Sequence, residues 1–148
     1  MNGIKMSDCR FYVDEAARTV VCVIPSTKNM LINFIKEHAH FSDLSLYDAI
    51  NFWDGKWYES LRMPYSFMGK ATCAEEDEWN EELGRKIAFS RAKDKCYKSF
   101  FKRANKFVQA IDNRLGDMIN LFNDFGMKLE NKRDILQGQI DELIKGKE

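Results

Sequence analysis

Several things are scarce in this chain, and each scarcity removes a class of protein. Only two prolines, Pro25 and Pro64, occur in 148 residues, so there is no proline-rich linker. There is no excess charge, since 23 basic residues face 23 acidic ones. That removes the simplest case for a general nucleic-acid binder, which usually carries a basic surplus over the whole domain. Any anion site must therefore be local. No apolar run reaches the roughly 18 residues of a membrane span, and the start MNGIKMSDCR lacks the apolar centre of a signal peptide. The expectation is a cytoplasmic protein with no membrane contact.

The inventory for catalysis or metal binding is equally thin. Cys9, Cys22, Cys73 and Cys96 form no C-x-x-C and read as reduced, buried thiols. His38 and His40 form an H-x-H that could chelate a metal only with distant partners, and they read better as a pair at a helix edge. There is no G-x-S-x-G and no Cys/His pair in a recognisable context. A non-enzymatic protein without cofactor or metal is expected.

What is present is a folding sequence, 45% apolar and 13% aromatic, long enough for one domain with its own core. Cys9 to Val13 and Thr19 to Ile24 read as two strands of a hairpin with a four- or five-residue polar loop, and Pro25 ends the second. Ser26 or Thr27 is placed to cap a helix over about 27–40, expected to lie on the sheet. Residues 42–50 fit a short helix or an alternating strand. The aromatics flanking Asp54-Gly55, from Phe52 to Tyr58, predict a tight hairpin with Trp53 opposite Trp57. Tyr65 to Cys73 supplies a further strand.

After that strand comes an abrupt segregation of charge. Glu75, Glu76, Asp77, Glu78, Glu81 and Glu82 are unopposed by any cation, as suits a helix start capped by Asp77 or Asn80. From Arg85 to Lys106 nine cations face Asp94 alone, a local surplus of +8. Apolar residues from Phe89 to Leu129 recur every three or four positions, about 3.64 on average, closer to a straight helix than to the 3.5 of a left-handed coiled coil. Unbroken, a helix over 79–129 would run about 75 Å at roughly 1.5 Å per residue, against a radius of gyration near 15 Å for a compact domain. The expectation is a break at Gly116 or, better, at Gly126, with a final helix folding back, or else association. The predicted class is α+β: a β-rich part over 1–73 and long helices over 74–148 that oligomerise.

Candidate binding residues follow from this charge pattern. Arg91, Lys95, Lys98, Lys102 and Lys106 share one wedge of the helical wheel, which suits phosphate oxygens or is simply a solvated face. Arg85 and Arg103 lie beside the apolar stripe, where a charge needs a partner. Trp79 is either a base-stacking platform or an anchor for the helix start. Isolated Gly69 and Gly84 make no phosphate-cradling loop and imply close packing instead.

Phe11-Tyr12-Val13-Asp14-Glu15 with Arg18-Thr19-Val20-Val21-Cys22-Val23-Ile24, Gly69-Lys70-Ala71-Thr72-Cys73 leading to Asp77 and Trp79, and Gly84 to Ala92 on the helix form a pattern. About a third of the chain carries it, and it resembles small phage and prophage proteins of a Thoeris anti-defence family. Those proteins are sponges that sequester cyclic ADP-ribose signals made by bacterial immune TIR enzymes. The resemblance implies a homo-oligomer in the infected host cell whose interfaces bind a cyclic nucleotide second messenger. It carries over to Asp77, Trp79, Gly84 and Arg91, with aromatics on the base and arginines on the phosphates. Departures are the long 25–65 segment and Trp79, where the family more often has Phe. The added segment would block the nucleotide site or build a protein-binding surface, the latter making the chain an inhibitor of a host defence protein, of anti-CRISPR type.

Overall fold

The structure is a computed structural model and describes residues 3–38, 40–41, 44–45 and 57–147. After a single 3-10 turn at Met6–Asp8 come β1 (Arg10–Asp14) and β2 (Thr19–Ile24), which pair antiparallel with Tyr12 opposite Val21. The connecting turn leaves four residues, 15–18, between them. α1 (Met30–His38), the short pair β3 (His40–Phe41) and β4 (Leu44–Ser45), and α2 (Trp57–Ser60) follow. β5 (Phe67–Thr72) then returns to the free side of β2, giving the order β1-β2-β5 with Cys22 opposite Gly69. α3 (Glu81–Lys145) completes the described chain. The fold is α+β, as expected.

Strand alternation sets the core. Val20, Cys22 and Ile24 of β2 are buried, while the residues between them are only half-buried. On β5 the buried positions are Gly69 and Ala71. α3 supplies Ala88, Ala92, Cys96, Phe100 and Phe107, and α1 supplies Leu31, Ile32 and Ile35. Small residues of α3 face small residues of β5, so the two backbones touch. A Cβ on Gly69 would lie 2.0 Å from the Ala88 carbonyl oxygen and 2.4 Å from the Ala92 nitrogen. Gly84 sits likewise over Val20, where an added Cβ would lie 2.9 Å from the Val20 Cγ2. α1 reaches the same helix through an edge-on contact of Phe34 with Phe100, ring centres 5.5 Å apart, and through Met30 against the Cys96 thiol at 3.7 Å.

Several expectations need correction. The helix expected over 27–40 begins only at Met30, because the Thr27 hydroxyl donates to the Pro64 carbonyl at 2.6 Å instead of capping, and Thr27 and Lys28 pair with the backbone of Tyr65 and Met63. In the 42–50 stretch, Leu44–Ser45 is strand, and the remainder lies outside the described residues. Residues 52–56 of the aromatic hairpin also lie outside them, but Trp57 and Tyr58 belong to α2, not to a strand. α3 does not break at Gly116 or Gly126. Both glycines are helical, with nothing within 4 Å of where a Cβ would be, and a glycine in a helix costs only about 1 kcal/mol relative to alanine. With no proline between Glu81 and Lys145, nothing forces a stop.

By backbone proximity the chain divides into two compact units, Met1–Phe107 and Val108–Glu148, so the first part of α3 belongs with the sheet. Among the described residues no helix is long and apolar enough to cross a membrane.

Two glycine substitutions should act in opposite directions. Gly69→Ala forces strand and helix apart and should cost about 3 kcal/mol, seen as a lower urea midpoint. Gly116→Ala meets no atom and should raise helix stability by about 0.5–1 kcal/mol, read as a higher melting temperature by circular dichroism.

Candidate functional site

The start of α3 is fixed by a local cap. Asn80 accepts a hydrogen bond on its side-chain oxygen from the Leu83 amide at 3.0 Å, and its carbonyl accepts from Gly84 at 2.9 Å. Of the two residues placed to cap, Asn80 serves. Three ion pairs, each with the acid four residues before the base, line the following turns: Glu81–Arg85, Glu82–Lys86 and Asp94–Lys98, at 2.7 to 2.8 Å. That order is the favourable one on a helix. Lys86 holds the Glu82 carboxyl below the usual carboxylate range.

Between β5 and this helix start runs the acidic loop, and one arginine organises it. Arg18 lies in the β1–β2 turn with φ of 51°, left-handed backbone that costs a non-glycine residue on the order of 1 kcal/mol. From there its guanidinium donates to the Glu75 carbonyl at 3.0 Å, to the Asp77 carbonyl and to the Cys73 sulfur at 3.1 Å. Its own carbonyl accepts from the Cys73 amide at 2.9 Å. The loop is therefore pinned to the hairpin through its backbone. Its carboxylates remain exposed.

A cleft of about 450 Å³ opens where this loop meets α3. Its walls include Asp77, Glu78, Trp79, Leu83, Gly84 and Ile87, with Ala71 and Cys73 behind. Trp79 is half-buried, whereas Leu83 and Ile87 are exposed. The helix N-terminus, the positive end of its dipole, lies at the cleft, since Asn80 also lines it. Such a site suits a flat ring against Trp79 and hydroxyl or amino donors on the Asp77 and Glu78 carboxylates.

Of the residues singled out in the sequence, Asp77, Trp79 and Gly84 thus come together. The cations do not join them, and among the described residues the cleft has no Lys or Arg in its lining. Arg85 gives both Nε and Nη2 to Glu81 and lies 5.1 Å from the centre of the Phe11 ring. Arg91 donates to the Lys70 carbonyl at 2.7 Å. Lys98 pairs with Asp94, and Arg103 is half-buried farther along α3.

Two roles escaped the sequence. Lys95 donates to the Met68 carbonyl at 2.9 Å, so Lys95 and Arg91 together occupy acceptors along β5, an edge strand among the described residues. An unpaired edge is a template for further strands, and long cations over it block that. Arg18 is the other. Its only trace in the sequence is a lone arginine in the turn between two strands, because its acceptors are main-chain carbonyls and a thiol.

Burial raises the thiols of Cys22 and Cys96, to about 12 and about 11, and the thiol of Cys9 is raised as well. A raised thiol carries less thiolate at pH 8 and alkylates slowly. Arg18→Ala should free the loop and speed iodoacetamide labelling of Cys73 several-fold at pH 8. Cys22 and Cys96 should stay unlabelled, as peptide mass mapping would read.

Compared with protein-family models, with curated proteins and with solved structures, the chain finds no match in any of the three.

Proposed function

We propose that this chain is a binding protein that captures a nucleotide without cleaving it, in the manner of the cyclic ADP-ribose sponges it resembles, and so serves a phage or prophage in counter-defence. The observation that supports this is the cleft that gathers Trp79, Asp77 and Gly84, three positions of the resemblance, at the N-terminus of α3. Each part of a nucleotide has a counterpart there. A base stacks on the indole, ribose hydroxyls donate to Asp77, and phosphate oxygens lie at the positive end of the helix. Arg85, Arg91 and Lys98 are engaged within the chain, so phosphate affinity rests on the helix dipole and on any cation a further subunit brings.

Calorimetry with cyclic and glycocyclic ADP-ribose isomers and with cyclic oligonucleotides tests the reading. One of them should bind, return chemically intact by mass spectrometry, and lose about 10- to 100-fold in affinity with Trp79→Ala, the worth of one stacked base. Heats equal to buffer across the panel reject it.

A second reading is favoured by the exposed carboxylates of Glu75, Glu76, Asp77 and Glu78 on a loop whose backbone Arg18 holds in place. Such a surface suits direct docking on a basic patch of a host defence effector, as an anti-CRISPR-type inhibitor does. Here Glu75→Lys with Glu76→Lys should slow association with the effector at least tenfold at low salt in surface plasmon resonance, with little change in dissociation. An association rate unaltered by the charge reversal sinks this reading.

A further inference from the structure

The apolar spacing along α3 changes partway. From Phe89 to Ile111 six steps cover 22 positions, about 3.7 residues each, as a straight helix on a sheet requires. From Val108 to Leu129 six steps of alternating three and four cover 21 positions, about 3.5 each. The change falls at the boundary between the two compact units, Phe107 and Val108. Within the second unit the repeat is strict at seven: Val108, Leu115, Phe122, Leu129, Leu136 and Leu143. Ile111, Met118 and Phe125 stand three residues after the first three of these.

A repeat of seven on an α-helix is the signature of a left-handed supercoil and needs a second helix of the same period. In this unit the seam is uncovered. Its six heptad residues are exposed from 44% at Leu129 to 70% at Leu143. The positions turned away from it, among them Asn113, Asn120, Asp134 and Asp141, are mostly polar. At these exposures the seam offers roughly 800 Å² per chain, and two copies would cover roughly the 1,600 Å² of a standard stable interface.

We infer that residues 108–145 form a parallel, in-register coiled coil with a second copy of this chain, through the Val108 to Leu143 ladder. One polar residue sets the orientation. Lys132 and Gln139 occupy the positions that Ile111, Met118 and Phe125 hold earlier in the repeat. In a parallel pair Gln139 meets Gln139 of the partner subunit, amide to amide, whereas an antiparallel pair would set its amide against an apolar residue. Lys132 weakens the seam locally, its stem lying along the partner helix and its ammonium group reaching water. Ile119, Leu121, Ile135 and Ile140 flank the seam and widen its apolar margin. The inference needs no ligand, so its failure and that of the nucleotide reading are separable.

Light scattering on the full chain should give twice 17.3 kDa. Leu129→Glu with Leu136→Glu should return it to a monomer with the near-ultraviolet spectrum of the sheet unit retained, whereas Asn120→Lys on the outer face should leave the mass unchanged. Under oxidation Leu136→Cys should cross-link to itself between chains, and Asp134→Cys should not. A monomer at every concentration overturns the proposal. So does an oligomer that survives the double glutamate variant, or one in which the position-136 thiols fail to pair.

Discussion

Direct contact between two backbones, strand β5 and helix α3, is the constraint on which the rest depends. It exists because Gly69, Ala88 and Ala92 have little or no side chain, and it leaves no room for more. Close approach brings Arg91 and Lys95 within reach of the β5 carbonyls, sets Gly84 over Val20, and fixes where the helix starts relative to the strand end. The cleft at Trp79 is the space left between the strand's exit and the helix's entry once that distance is fixed. Site geometry here is a by-product of packing small residues against small residues.

The electrostatics are local for the same reason. Several members of the basic surplus after Arg85 answer separate local needs. Arg85, Lys86 and Lys98 pair with acids one turn earlier, and Arg91 and Lys95 occupy two carbonyls of β5. The acidic loop is held by backbone bonds to Arg18, which leaves its carboxylates unneutralised by the residue that binds it. Anion attraction at the cleft thus falls to the helix terminus, and cation attraction to the loop.

How much of this the sequence made legible depends on how local each signal is. The β1–β2 hairpin, β5 and the Asn80 cap were all readable, because alternation, breaker residues and acidic helix starts act over a few positions. Trp57 misled because an Asp-Gly pair between aromatics is a strong hairpin signal in isolation, yet here Trp57 opens a helical turn. Gly116 and Gly126 misled because a glycine weakens a helix without ending it. The Arg91 and Lys95 contacts could not be read at all, since their acceptors are main-chain carbonyls that every residue carries. The 3.64 average concealed two periods, one belonging to the sheet-bound part and one to the unit beyond it.

β2 is completed by a strand that arrives more than forty residues later, and the face they share is covered by a helix that comes later still. On the ribosome, the first hairpin therefore completes the burial of Val20, Cys22 and Ile24 only after Ala92 has left the exit tunnel. For that interval the nascent chain displays a half-made sheet, and the stretch between the two strands can lengthen or shorten at modest entropic cost, because closing a loop grows harder only with the logarithm of its length.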